Sequence, residues 1–181
     1  MNALIICGSR NRKGQTAQAA KALAEGIASA GGTHDTVFLP ELTLQHCRQC
    51  NDDGWGTCRS EGKCAIADDF AGIVDRFSAA DRVAFATPVY FSDLSESMKA
   101  FTDRLRRICR HESAKKRVEG KRCVGVCVAG GGGGGAPNCC VSLERVLGHC
   151  GLDTVDLVPV RRQNLAAKVE VLKRAGALLV S

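Results

Sequence analysis

Apolar positions along the chain fall into five short runs separated by stretches with helical spacing. Residues 3–7 (ALIIC), 34–39 (HDTVFL), 82–87 (RVAFAT), 122–129 (RCVGVCVA) and 154–160 (TVDLVPV) read as strands. After the first strand, Ala19, Ala20, Leu23, Ala24, Ile27 and Ala28 recur with the period of a helix until Gly31-Gly32 stop it. Phe70, Ile73, Val74 and Phe77 mark a second helix behind a candidate N-cap at Asp68 or Asp69. Met98, Phe101, Leu105 and Ile108 mark a third behind Ser95. Helices are also expected over 137–150 and 164–179, the last with Leu165, Val169 and Leu172 inward.

Strands and helices in strict alternation predict an α/β three-layer sandwich, a five-stranded parallel sheet with helices on both faces. In such sheets ligands bind at the carboxyl ends of the strands, where strand order reverses. The loops after the first, third and fourth strands open at that edge, so one site built from all three is the economical expectation.

Composition narrows the class. A chain of 181 residues, 45% apolar, fits one domain spanning 1–181 with its own core. The net charge is +6, and much of it comes from the basic stretch between Arg104 and Arg117. Aromatic residues make up only 4% and do not interleave with those charges, so no nucleic-acid partner is expected. The stretch reads instead as a solvated helix end and loop. No apolar run approaches the length of a membrane span, and the chain opens on a strand-like ALIICGS rather than on a secretory leader. A cytoplasmic protein with reduced thiols is the expectation. Cys7, Cys123 and Cys127 then read as small buried hydrophobes.

Four of the eleven cysteines stand apart. Cys47 and Cys50 form C-x2-C, and Cys58 and Cys64 follow as C-x3-G-x-C, all within an irregular insertion at about 45–66. Thiolates are the soft ligands that zinc and iron-sulfur clusters prefer, and the spacing leaves both open.

The first loop, Gly8 to Thr16 (GSRNRKGQT), joins a strand to a helix start and carries hydroxyls at both ends, chemistry suited to a phosphate. It lacks the glycine patterns of nucleoside-triphosphate and dinucleotide sites. The second loop, Thr87 to Ser92, offers Pro88, Val89, Tyr90 and Phe91 as a wall for a flat ring system. The third holds six glycines, Gly130 to Gly135, whose asset is close backbone approach or mobility.

Together, GSRNRKGQT, the cysteine pattern running into Asp68-Asp69-Phe70, the segment ATPVYFSDLSESMKAFTDR and the glycine-rich loop resemble the NADPH-dependent FMN reductase family, and within it the iron-sulfur flavoproteins. The resemblance covers residues 3 to about 150. It implies a flavodoxin-like fold with strand order 2-1-3-4-5 and FMN at the carboxyl edge. Ser9, Gln15 and Thr16 would hold the FMN phosphate with Arg10 nearby, Pro88 to Phe91 would line the isoalloxazine, and Gly130 and Gly131 would close over its other edge. Cys47, Cys50, Cys58 and Cys64 would hold a [4Fe-4S] cluster. Asp103-Arg104 would be structural, and no side chain is required for proton transfer.

The resemblance further implies NAD(P)H as co-substrate, a small electron donor or acceptor or a ferredoxin as partner, and a homodimer or homotetramer. A non-catalytic FMN electron carrier, and a flavoprotein with structural zinc or a metal-free loop, are the alternatives. Two departures stand out. Arg10 replaces a common proline, and the stretch from Asn51 to Thr57 separates the second and third cysteines, as though a segment containing Gly54-Trp55-Gly56 had been inserted.

Overall fold

In the computed structural model, which describes residues 1–181, the alternation is realised as β1 (Asn2–Cys7), α1 (Gln15–Ser29), β2 (Thr33–Phe38), α2 (Thr57–Ser60), α3 (Phe70–Ala79), β3 (Arg82–Tyr90), β4 (Asp93–Leu94), α4 (Glu96–Ile108), α5 (Glu112–Lys115), β5 (Arg122–Ala129), α6 (Ala136–His149), β6 (Asp153–Arg161) and α7 (Leu165–Val180). The main sheet runs β2-β1-β3-β5-β6, all parallel. With the short β4 set aside, that is the 2-1-3-4-5 order implied by the resemblance. Its reversal falls between β1 and β3.

Period-two alternation explains the two cores. Leu4 and Ile6 of β1 and Phe85 of β3 point to the side covered by α3, α4 and α6, against Phe70, Phe77, Met98, Phe101 and Leu143. Ala3 and Ile5 of β1 and Ala84 of β3 point to the other side, against Leu23 and Ile27 of α1 and Leu172 and Leu179 of α7. Each fully buried Leu, Ile or Phe contributes about 1.5–3 kcal/mol. On the second side the helices touch backbone to backbone. A Cβ on Gly26 would lie 1.9 Å from the Lys173 carbonyl oxygen, and one on Gly176 would lie 2.2 Å from that of Leu23. Both mid-helix glycines therefore serve the α1–α7 crossing.

Three local expectations are corrected. The strand expected over 82–87 does not stop before Pro88. The ladder between β3 and β5 stops at Pro88–Val128, where a missing N–H does no harm, and the strand continues to Tyr90 by pairing with β4. The single-turn helices α2 and α5 lie in stretches read as irregular, and four residues are too few to show a helical period. Third, the basic stretch is no solvated surface at its start. Arg104 is buried, Arg106 is paired with Asp103, and Arg107 lies over Trp55, whereas Arg117 at the far end is exposed and paired with Asp75. Ser95 caps α4 as expected, accepting the Met98 N–H at 3.4 Å. Asp69 occupies the N-cap position of α3 without a side-chain cap, while the carboxylate of Asp68 accepts the Phe70 N–H at 3.1 Å. No helix is long and apolar enough to cross a membrane.

Candidate functional site

The three carboxyl-edge loops meet around one open cavity of about 690 Å³, lined by Asn11, Gly14, Gln15, Thr16, Pro88 to Phe91, Val128 to Gly131 and Gly134. Gln15, Thr16, Pro88, Val89, Tyr90, Phe91, Gly130 and Gly131 are thus brought together as the sequence suggested. Ser9 and Arg10 are not on its wall. The Ser9 hydroxyl is buried and turned onto its own loop, accepting the Asn11 N–H and donating to the Asn11 carbonyl, both at 3.3 Å. Arg10 is exposed.

Asn11 was not singled out by the sequence. Its side-chain oxygen accepts the Lys13 N–H at 2.9 Å and its carbonyl accepts the Gly14 N–H at 3.0 Å, building the turn that delivers α1. The available signal was an Asn in a loop, a residue that turns the backbone by bonding it two residues on.

The phosphate-suited corner has a physical basis. Gly14 precedes α1 with no side-chain cap, and the first turn contains no acidic residue. The first N–H groups and the positive end of the helix dipole are therefore left for an anion. Arg12 is drawn away by Glu41 (Nε–Oε1 2.5 Å), which holds the Glu41 carboxyl below its usual range. Arg10 and Lys13 are left without ion-pair partners in that loop.

A buried polar knot fixes the first loop to the second. The Gly8 N–H donates to the Ala86 carbonyl at 2.8 Å, and the Gly8 carbonyl accepts from the hydroxyls of Ser95 (3.3 Å) and Ser97 (3.2 Å). Thr87 Oγ1 accepts the Ser95 N–H at 3.2 Å. The second loop then turns as a two-residue hairpin, with Tyr90 opposite Asp93 and Phe91-Ser92 at its tip. Both tip residues are left-handed, Phe91 at φ 49° and Ser92 at φ 66°, a geometry that suits Asn-Gly far better. Each such residue costs about 1–3 kcal/mol, yet Phe91 is fully exposed and Tyr90 half exposed. An apolar ring is thus displayed under backbone strain at the rim of the cavity.

The glycine loop closes the third side. Gly135 (φ 79°) packs against the tip, where a Cβ would lie 2.7 Å from Ser92 Cα, whereas Gly132 and Gly134 face open space. Part of the close approach expected for a ligand is thus approach to the hairpin itself.

The cysteine loop is closed at its neck. Thr43 N–H donates to the Asp69 carboxylate at 2.7 Å, and Asp69 N–H donates back to the Thr43 carbonyl at 3.1 Å. Gln45 N–H donates to the Asp68 carboxylate at 2.8 Å. Arg104 of α4 completes the neck with Nη1 on Asp68 Oδ2 (2.7 Å) and on the Gln45 carbonyl (3.0 Å), and Nη2 on Asp68 Oδ1 (2.8 Å). Burial alone would raise the Asp68 carboxyl, and the bonds from Arg104 and the backbone N–H groups of Gln45 and Phe70 overcome this and hold it below its usual range. Asp103-Arg104 is structural as implied, although Arg104 pairs with Asp68, and Asp103 pairs with Lys99 (3.2 Å) and Arg106 (3.1 Å).

Inside the loop, Cys47, Cys50, Cys58 and Cys64 all line one small cavity, about 20 Å³, together with Arg48, Arg104, Arg107 and Ile66. Cys58 is buried and the other three are half-buried. No three His, Cys, Asp or Glu side chains are gathered as a ready set of ligands for one ion. Left-handed Gln49 and Asn51 turn the chain on either side of Cys50. The intervening segment is anchored from α4: Arg107 donates to the Gly54 carbonyl and stacks on Trp55 at 4.1 Å. Gly56 lies against Cys50, where a Cβ would come 3.0 Å from Cys50 Cβ. Gly62 of C-x3-G-x-C is left-handed and abuts Ser113 and Ala114 of α5. No residue lines both this cavity and the large one.

Comparison with known proteins follows the same outline. An iron-sulfur flavoprotein of Methanocaldococcus jannaschii is 30% identical over 131 residues, 72% of this chain and 65% of that one. One from Methanosarcina thermophila is 34% identical over 94 residues, 51% of this chain and 47% of that one, so the matched stretches span between about half and two thirds of these relatives. Among solved structures, an NAD(P)H:quinone oxidoreductase from Methanothermobacter marburgensis superposes with a TM-score of 0.77 at 22% identity, covering 100% of this chain and 96% of that one. An archaeal flavodoxin superposes at 0.64 with 14% identity, covering 99% and 96%. At these identities the superpositions show the fold, which is flavodoxin-like. The description of NADPH-dependent FMN reductases matches residues 1–165, and the chain belongs to that family.

Proposed function

We propose that the protein is an FMN-dependent oxidoreductase that passes electrons from NAD(P)H or a protein donor such as ferredoxin to a quinone or another small acceptor, with Cys47, Cys50, Cys58 and Cys64 holding a [4Fe-4S] cluster. The observation that carries the reading is the convergence of an uncapped helix start, an apolar wall and a bare backbone loop on one cavity of about 690 Å³.

The residues fit a flavin mononucleotide. The first turn of α1, with Gln15 and the Thr16 hydroxyl, would hold the phosphate, and Ser9 and Asn11 shape the loop that presents them. Pro88 to Phe91 would cover one side of the ring and exclude water there. The backbone of Gly130 and Gly131 would reach its other edge. FMN, when bound, supplies hydride acceptance and one-electron release, while the protein supplies binding and orientation. No side chain lining the cavity is needed to move a proton.

The cysteine cavity fits an anionic cluster. Its four donors are thiols, three arginines stand on its wall, and one buried guanidinium N–H, Arg104 Nε, lacks a partner. In a flavin-dependent electron-transfer protein such a thiol set serves an iron-sulfur cluster better than zinc, which has no redox states. Such a cluster supplies one-electron chemistry. The exposed Tyr90 and Phe91 support a homodimer or homotetramer in which a second copy covers the flavin rim.

Anaerobic assay of NADPH and NADH oxidation, with FMN and a quinone supplied, tests the enzymatic reading. Steady turnover is expected. Reversible flavin reduction by ferredoxin with no nicotinamide turnover would instead favour a non-catalytic carrier.

A further inference from the structure

Arg104 is more than a clamp on the neck of the loop. Three of its N–H contacts go to Asp68 and Gln45, but its Nε–H, on a side chain only 1% exposed, has no acceptor. A buried donor without a partner is unfavourable, and such groups in native proteins have a use. Arg104 lines the four-thiol cavity, where Cys64 is its side-chain neighbour. Arg107, one turn further along α4, is committed to Gly54 and Trp55. On the reading that the thiols hold a cluster, we infer that Arg104 is a positioning residue whose Nε–H is reserved for the sulfur of cluster-bound Cys64.

Two consequences follow from one side chain. A hydrogen bond to a ligating thiolate withdraws charge from it, favours the reduced cluster and raises its midpoint potential. The other arms of the same planar fork grip Asp68 and Gln45, so the orientation of the Nε–H is fixed by the closure of the loop. Cluster retention and neck closure are thereby made one event.

The test uses the anaerobically purified protein and its Arg104→Lys variant. Lysine keeps the charge facing Asp68 but has neither the fork nor the Nε–H. FMN content is expected to be unchanged. Iron is expected to be stripped by bathophenanthroline disulfonate about 10-fold faster or more, and the midpoint potential from an EPR-monitored titration is expected to be more negative. If the variant does not fold, Arg104→Gln combined with Asp68→Asn removes both buried charges together and carries the same expectations. Unchanged stripping and potential in the folded variant overturn the inference and leave the cluster reading standing. Wild-type protein that holds flavin but no iron after anaerobic reconstitution sinks both, and the two failures are told apart by which protein shows them.

Discussion

Arg104 and Asp68, 36 residues apart in the chain, form a two-pronged ion pair (2.7 and 2.8 Å) with side chains 1% and 0% exposed, and this pair closes the neck of the cysteine loop. Pairs buried this deeply are expensive to break from one side, because the remaining charge is stranded away from water. Asp68→Ala is expected to destabilise the protein by about 3–5 kcal/mol, measurable by urea unfolding. A loss below about 1 kcal/mol would mean that the pair behaves as a surface contact.

The same pair sets a pH dependence. The folded carboxyl of Asp68 is held below its ordinary value of 3.8. Its contribution is therefore full above that value and is lost as pH falls through the lower folded value. Acid unfolding curves should show this loss, and Asp68→Asn should flatten that part of the curve. A stability that falls instead as pH rises above neutrality, with Asp68→Asn abolishing the fall, would reverse the sign.

Strain at the hairpin tip makes an opposite prediction for stability and binding. Replacing Phe91 by Asn and Ser92 by Gly gives the residues that a tip with two left-handed positions favours, and should stabilise the flavin-free protein by roughly 1 kcal/mol. Flavin affinity should fall, because the exposed ring is part of the cavity wall. Thermal melts and flavin titration report the two effects separately, and a melting temperature that drops would show that the tip is not strained.

Two glycines of the polyglycine run should behave differently. At Gly135 a Cβ would lie 2.7 Å from Ser92 Cα in a left-handed backbone, whereas at Gly132 it would meet nothing within 4 Å. Gly135→Ala should therefore lower both flavin content and melting temperature, and Gly132→Ala should leave melting within about 0.5 kcal/mol of wild type. Equal effects at both sites would imply that the loop acts only as a tether.

Sequence patterns reach as far as local periodicity does. The five parallel strands and the helices packed on them were legible because Leu4, Ile6, Phe101 and Leu105 recur with strand or helix spacing. Cys7 and Cys123 read correctly as buried thiols, and burial pushes both up to about 11. A two-residue strand such as β4 has no period to read, and neither do α2 and α5. The loops that form the large cavity were legible through Gly14, Pro88 and Gly130, because turn chemistry is local.

Ser9 and Arg10 were placed by resemblance, and the hydrogen bonds that turn Ser9 onto Asn11 depend on loop geometry that spacing does not encode. The partnership of Arg104 with Asp68 is long-range, so the resemblance implied a structural role for Asp103-Arg104 but not the partner. That the inserted Trp55 is held by Arg107 could be seen only once α4 and the loop were in contact.

The reading that the cavity lined by four thiols and three arginines holds an iron-sulfur cluster, in a protein that also binds flavin, stands or falls on one measurement. It is the absorption spectrum of anaerobically purified protein, taken with iron, sulfide and zinc analysis. The expected result is flavin absorption over a broad cluster band, with about four irons and four sulfides per chain and no zinc. Colourless protein, or flavin accompanied by stoichiometric zinc and no iron, would contradict it.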